Sequence, residues 1–267
     1  MPEKGISVNF VIKNGVRQGY PFWESLKSCL DFADEVVISE GCSDDGTREF
    51  IDRFVKKYSD RCKFRIYEDD WEKYKSGRGE LIAKISDINM RRCSYEWVYY
   101  LQADEVLHPE NSNFIRSIAV DDSEFNSVSF RFAHFLGSWE PLPKNGGAYN
   151  EAIRMTKNHA GIYFLGDAWN FTGKVAPICP AGLSPKPIYH LGWVFPKNID
   201  HKKIGHAELY SNMKVYQQGI EECRKRIEDE HEYKPIEKNG KFDDYPPSIR
   251  RLFGMVAYEL PEEAFEE

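Results

Sequence analysis

No apolar run in this sequence approaches the roughly 18 residues that a bilayer-spanning helix needs, so any membrane association is expected to be peripheral. No CxxC pair occurs among the six cysteines, Cys29, Cys42, Cys62, Cys93, Cys179 and Cys223. Their scatter argues against a zinc site and against a disulfide framework, and reduced thiols in a cytoplasm are the expectation. The opening MPEKGISVNFVIKNG carries no basic n-region and no cleavage signal, so a signal peptide is not expected. Positive charge is not in excess either: 36 Lys and Arg face 43 Asp and Glu, a formal net charge of -7. Such a balance gives no overall basic surface, and nucleic acid is not an expected main partner. No internal repeat is visible.

What is present is the material of a folded core. The 41% hydrophobic and 14% aromatic content is that of a globular chain, and 267 residues suffice for one large α/β domain with a tail. Through residue 105 the pattern alternates between strand and helix. ISVNFVI reads as a strand, then Phe22, Leu26, Leu30 and Ala33 mark a helical face. EVVIS is followed by Phe50, Ile51, Phe54, Val55 and Tyr58, and CKFRIYE by Leu81, Ile82, Ile85 and Ile88, before EWVYYL. Apolar residues three and four apart mark amphipathic helices, and strands alternating with helices imply a mostly parallel sheet with right-handed crossovers.

From residue 125 the texture changes. SVSFRFAHF, GGAYNEAIRMT, AGIYFLGDAWNF and KPIYHLGWVF are separated by Gly, Pro and Asn and read as antiparallel strands and loops. A helix is expected from about 199 to 219, and the charge-dense EECRKRIEDEHEYKPIEKNGKFDDYPP reads as a solvated helix and linker or as a mobile arm.

Two acidic turns stand out. In SEGCSDDGT, residues 39–47, Gly41 and Gly46 permit a tight turn while Ser43, Asp44 and Asp45 can cap the following helix. Amides exposed at such a helix start can hold an anion, or the segment is simply a well-capped βα turn. DDGT resembles the first motif of the haloacid dehalogenase phosphatases, but Ser43 stands where their nucleophilic Asp would be, and a hydroxyl cannot replace a phosphorylated carboxylate. In VYYLQADEVLH a hydrophobic run ends in Asp104 and Glu105. In open α/β sheets the carboxyl ends of the strands are where ligands bind.

Taken together, EVVISEGCSDDGT and EWVYYLQADE resemble the family 2 glycosyltransferases of the GT-A fold. There a strand leads into Asp-x-Gly-Ser-x-Asp-Gly-Thr and a later strand ends in Asp-x-Asp. The resemblance covers about residues 5–215. It implies a GT-A type α/β fold: a Rossmann-like nucleotide-binding half (1–107) with a mostly parallel sheet, and a mixed or antiparallel acceptor half (108–220). The charged residues 221–267 then form a helical C-terminal extension. The implied activity is transfer of a sugar, with inversion, from a nucleotide-sugar donor to a hydroxyl of a carbohydrate or lipid-linked acceptor. The implied cofactor is Mn2+ or Mg2+.

The same resemblance implies residue roles. Glu40, in place of the usual Asp, and Asp45 face the nucleotide; Arg78 in SGRGE, by its own position, reads either as a phosphate contact at the start of the third helix or as an exposed arginine. Gln102, Ala103 and Asp104 form the Asp-x-Asp position, where a neutral Gln is a weaker ligand for a hard cation. Asp104 and His190 are the implied metal contacts, with Lys197 or Lys202 neutralising phosphate. Asp167 is the implied base, with Glu140, Glu151 and Asp200 as rivals. Glu105 reads either as support for Asp104 or as a surface acid. Trp139, Trp169 and Trp193 are candidate platforms for sugar rings or ordinary core residues. A different reading keeps the fold without turnover, as a non-catalytic nucleotide-sugar or glycan binding protein, and Gln102 is its motive.

Overall fold

The structure is a computed structural model and describes residues 2–75, 79–120, 125–136, 139, 141–142, 149–158, 161–174, 177–178, 184–209, 245–255 and 257–266. Its first strand, β1 (Glu3–Ile12), is buried on both faces from Ile6 onward, as suits the centre of a sheet covered by helices on both sides. A single turn, α1 (Gly15–Gln18), precedes α2 (Phe22–Cys29), which buries Phe22, Trp23 and Leu26. Then come β2 (Glu35–Glu40), buried throughout, α3 (Thr47–Tyr58) and β3 (Lys63–Glu68). A 3-10 turn at Trp71–Tyr74 leads to α4 (Leu81–Met90) and β4 (Tyr95–Gln102). These elements match the alternation read from the sequence.

The pairings β1–β2, β2–β3 and β1–β4 are all parallel. Strand order runs β3-β2-β1-β4, so the chain moves outward from β1 on one side and then returns to its other side. That reversal between β1 and β4 is a topological switch point, where the connections leave in opposite directions and open a crevice beyond the strand ends. Buried amides pin α4 to the sheet: Asn89 Nδ2 donates to Asn9 Oδ1 and to the Val37 carbonyl, both at 2.8 Å. Asn9 Nδ2 in turn donates to the Ser86 carbonyl at 2.9 Å.

The second half extends the same sheet. After β5 (Glu105–Val106) and α5 (Glu110–Ala119) come β6 (Ser127–Leu136) and β7 (Glu151–Lys157). The hairpin β8 (Ile162–Leu165) and β9 (Asn170–Gly173) forms a separate two-stranded sheet. Then follow β10 (Pro177–Ile178), β11 (Ile188–Trp193) and α6 (Pro196–Leu209). The nine-stranded sheet continues β4-β7-β6-β11-β5, with β10 beside β6. This half is mixed rather than antiparallel throughout: β4–β7, β6–β7 and β11–β5 are antiparallel, but β11–β6 and β10–β6 are parallel.

Of the charged stretch 221–247 expected as a solvated helix and linker or a mobile arm, only 245–247 are among the described residues. Residues 210–244, the greater part of the expected tail helix, lie outside the described residues. Beyond them α7 (Pro247–Arg250) and the segment to 266 return to the first half, and Ile249, Leu252, Tyr258 and Ala264 join its core. Polar bonds hold this return. Tyr258 Oη donates to Glu24 Oε2 at 2.9 Å and Trp23 Nε1 to Glu263 Oε1 at 3.0 Å, while Arg251 pairs with Glu24.

Candidate functional site

A cavity of about 420 Å³ opens at the switch point, bounded by the carboxyl ends of both strands and the residues that follow them: Val11 to Asn14 at the end of β1, and Tyr100, Gln102, Ala103 and Asp104 at the end of β4. Trp71, Glu72, Lys75, Leu81 and Ile82 form one wall. The second half supplies the other, with Tyr149, Asp167, Trp169, His190, Trp193, Lys202 and His206. The volume lies in the range of small-molecule sites.

Asp104 owes its setting to strand pairing. The chain turns at Ala103 and Asp104 into β5, whose register places Glu105 opposite His190 and Val106 opposite Tyr189. The amide of Leu191 donates to the Asp104 carbonyl at 2.7 Å. The Asp104 carboxylate consequently lies 3.6 Å from His190 Nε2 and accepts a hydrogen bond from Lys202 Nζ at 2.7 Å. Burial would raise the Asp104 carboxyl, but the charge of Lys202 and then His190 outweighs it and holds the group down at about 2. Burial pushes His190 down to about 3, against the pull of Asp104, so its imidazole is neutral near pH 7. Gly192 makes this closeness possible, since a Cβ there would overlap both Lys202 Nζ and Asp104 Oδ2.

Glu105 turns the other way and is fully buried against Arg154. Arg154 Nη2 donates to Glu105 Oε1 at 2.8 Å, and Nε bridges both carboxylate oxygens at 3.1 and 3.2 Å. Burial works against the guanidinium charge, but the facing carboxylate outweighs it and raises the Arg154 pKa. Arg154 Nη1 also donates to the Trp169 carbonyl at 2.9 Å, and Nη2 to Tyr149 Oη at 3.2 Å. Glu105 thus acts through Arg154 to fix the turn between β8 and β9. That turn carries Asp167, Trp169 and the buried Ala168, which adopts a positive φ of 66°.

The remaining expected site residues divide. Gln102, Ala103, Asp104, Asp167, Trp169, His190 and Trp193 all line the cavity. Glu40 and Asp45 do not; their oxygens are held by backbone amides of their own turn and, for Asp45, of α1 as well. Glu40 accepts from the amides of Cys42 at 3.1 Å and Ser43 at 2.9 Å. Asp45 accepts from the Thr47 amide at 3.1 Å and hydroxyl at 2.6 Å, and from the Arg17 amide at 2.7 Å. Trp139 is a core residue, 4.3 Å from Phe253 between ring centroids. Arg78 and Glu140 lie outside the described residues, as does the side chain of Lys197. Of the rival bases, Glu151 is exposed at the start of β7 and Asp200 is buried on α6, and neither lines the cavity.

Several wall residues were not anticipated. Lys13 and Lys75 flank Glu72, at 3.1 and 2.9 Å. Tyr20 lies beside Lys202, with its ring centroid 4.9 Å from Nζ. Lys13 and Asn14 immediately follow the β1 run and could have been found by asking which side chains end the strand next to β4.

The expected divalent cation is not matched by the donor set. No group of three or more His, Cys, Asp or Glu able to hold a metal occurs among the described residues. Gln102 offers an amide whose Nε2 donates to Tyr100 Oη at 3.3 Å, and Asp104 is engaged by Lys202. Hard cations prefer several carboxylate oxygens.

Neither a scan against protein-family models nor a search of curated proteins gives a match. Solved structures with a similar arrangement exist, at low identity. Residues 1–349 of S. aureus TarS are 16% identical, with a TM-score of 0.47 over 85% of this chain and 72% of that one. Mannosyltransferase PcManGT from Pyrobaculum calidifontis, solved with GDP-Man and Mn2+, is 13% identical, with a TM-score of 0.47 over 85% and 72%. Glucosyl-3-phosphoglycerate synthase from Mycobacterium tuberculosis, solved with Mg2+ and uridine diphosphate, is 16% identical, with a TM-score of 0.30 over 50% and 44%. The α/β class expected from the sequence is the one the chain adopts. Likeness at this level carries no argument for activity. No helix among the described residues is long and apolar enough to cross a membrane.

Proposed function

We propose that the chain is a glycosyltransferase that moves a sugar from a nucleotide-sugar donor to a hydroxyl of a carbohydrate or lipid-linked acceptor, with inversion. The observation that carries this reading is the cavity at the β1/β4 switch point, where Asp104, Asp167, His190, Trp169 and Trp193 converge. Three residues singled out by the resemblance, Asp104, Asp167 and His190, meet two candidate platform tryptophans in one crevice of suitable size. Nucleotides bind at such switch points in open α/β sheets.

In the reaction the bond between the anomeric carbon and the diphosphate oxygen breaks, and its electron pair leaves with the nucleoside diphosphate. The acceptor oxygen attacks from the opposite face and gives up its proton. Asp167 is the base in this reading: it lines the cavity and sits on the turn that Arg154 anchors. Cationic side chains on the wall offset charge on the leaving diphosphate. Trp169 and Trp193 offer aromatic faces to sugar rings.

The test has two stages. Thermal unfolding against UDP, GDP, dTDP and CDP identifies the donor class, since a ligand at a hundredfold excess over its Kd stabilises by about 2.7 kcal/mol. Acceptor screening then follows release of the free nucleoside diphosphate. Release that requires acceptor, and that falls by about 10²–10⁴-fold in Asp167→Asn, supports the transferase and its base. Nucleotide binding without release under any acceptor favours the second reading, a non-catalytic binder, which the neutral Gln102 on the wall motivates.

A further inference from the structure

The positive charge at the end of β4 belongs to the protein itself. Lys202 reaches from α6 to the cavity wall, 9% exposed, and donates to Asp104 Oδ2 at 2.7 Å. Its ammonium lies 4.8 Å from the Trp193 ring centroid and 4.9 Å from that of Tyr20. Three elements therefore hold one cation: the β4 turn by charge, β11 and the α1–α2 connection by aromatic faces. Contacts with ring faces attract a cation without consuming its donors. An ammonium has three N–H donors, and one is spent on Asp104.

A divalent ion coordinated by Asp104 would need its carboxylate oxygen at about 2.0–2.6 Å. Lys202 already occupies Oδ2, and its charge opposes a second cation on the remaining oxygen of the same carboxylate. Gly192 removes the Cβ that would separate the pair, so the backbone of β11 is shaped to admit this ammonium. The other groups at hand, the Gln102 amide and His190, do not make up a coordination shell.

We infer that Lys202 is the resident cation of this site and that it, rather than a divalent metal, holds the diphosphate of the donor. The inference rests on the nucleotide-sugar reading given above. Asp104 then serves as the positioning residue that aims Lys202 and does not ligate metal. An ammonium fixed before the donor arrives has little left to reorganise as charge grows on the leaving oxygen. The expected consequence is a nucleotide affinity that chelators do not change.

The experiment measures thermal unfolding of the whole protein with UDP, GDP, dTDP or CDP, once in EDTA and once in Mn2+. Equal stabilisation by the same nucleotide in both conditions is the expected result. Lys202→Met keeps the apolar stem and removes the charge. It should weaken binding in EDTA by about ten- to a hundredfold, and Mn2+ should recover part of the loss because Asp104 is freed. Lys202→Arg, which retains a cation, should stay insensitive to chelation. Wild-type protein stabilised only when Mn2+ is present overturns the inference while leaving the transferase reading intact, and this arm needs no variant to fold. Unchanged affinity in a folded Lys202→Met protein overturns it as well. Stabilisation by no nucleotide in either condition overturns both readings together.

Discussion

The acidic turn after β2 and the acidic turn after β4 lie at the same edge of one sheet, two strands apart, and they use their carboxylates in opposite ways. Glu40 and Asp45 bond to backbone amides, those of residues 42, 43 and 47 in their own turn and that of Arg17 on α1, so that turn is closed by main-chain groups. Asp104 and Glu105 bond forward to side chains brought from elsewhere, Lys202 on α6 and Arg154 on β7. The lesson is that acid at a strand end is not yet a site. A carboxylate that satisfies its own backbone shapes a wall, whereas one that orders a distant cation joins two halves of the molecule.

The sharpest way to break the comparison is Glu105→Ala. It strands the Arg154 guanidinium, 0% exposed, and removing one partner of a buried pair costs about 3–5 kcal/mol. Urea unfolding should show that loss, and turnover should fall with it because Arg154 also holds the Trp169 carbonyl. A Glu105→Leu, Arg154→Met double variant should recover much of the stability but not the turnover. Full activity in the double variant would reduce the pair to packing.

Asp104→Ala should cost less, about 1.5–3 kcal/mol for a hydrogen bond between charged groups, and should weaken nucleotide binding because Lys202 loses its guide. The pH dependence gives a second readout. The Asp104 carboxyl is held down at about 2, below the ordinary value of about 3.9. Its contribution to stability is therefore complete above that ordinary value and is lost as pH falls through 2. Wild-type and Asp104→Ala unfolding midpoints should converge on acidification over that window and stay parallel above it.

The parallel half was legible because each of its elements repeats a period. Val36, Val37 and Ile38 are buried on β2, and Leu81 and Ile85 face the core from α4, as an apolar run and a three-to-four spacing predict. Helix α5 gave no such signal, since two of its buried residues are Asn111 and Ser112. Asn111 is there to exchange bonds with the Lys186 backbone, both at 3.0 Å, a partner distant in sequence. The candidate site shows the same limit. The family resemblance marked Asp104 and His190, but only the β5–β11 register brings them together. Nothing local in HKKIGH distinguishes Lys202 from Lys203; the former is buried on Asp104 and the latter exposed. The return of the chain end to Trp23 and Glu24 was also hidden, because its few apolar residues lie among charges.

On the closed turn the expected losses are in stability alone. Glu40→Ala leaves the amides of Cys42 and Ser43 without their acceptor, and an unsatisfied buried group costs about 1–3 kcal/mol. Cys42 is exposed and Ser43 half-buried, so water can reach the freed amides and hold the loss towards the lower part of that range. The nucleotide-induced shift in unfolding temperature should remain, measured against the lower baseline of the variant. Loss of that shift with an unchanged baseline would place Glu40 in the nucleotide site and dissolve the contrast between the two turns.

Asp45→Ala is the mildest change and tests the same contrast from its exposed side. Asp45 behaves as a helix cap set one residue early: Gly46, at φ 89°, makes no side-chain cap of its own for α3, and Asp45 accepts from Thr47 instead. Losing a cap costs about 0.5–2 kcal/mol. Arg17 is exposed, so water can take over at its freed amide, while Thr47 is buried and its amide carries most of the loss. Because the Asp45 bond to the Arg17 amide ties the α1 turn to α3, hydrogen exchange at Arg17 and Thr47 should quicken while exchange at Leu191, whose amide is held by the Asp104 carbonyl, should not. Faster exchange at Leu191 would mean that the two turns are coupled through β1, and the division between a closed turn and an open one would have to be given up.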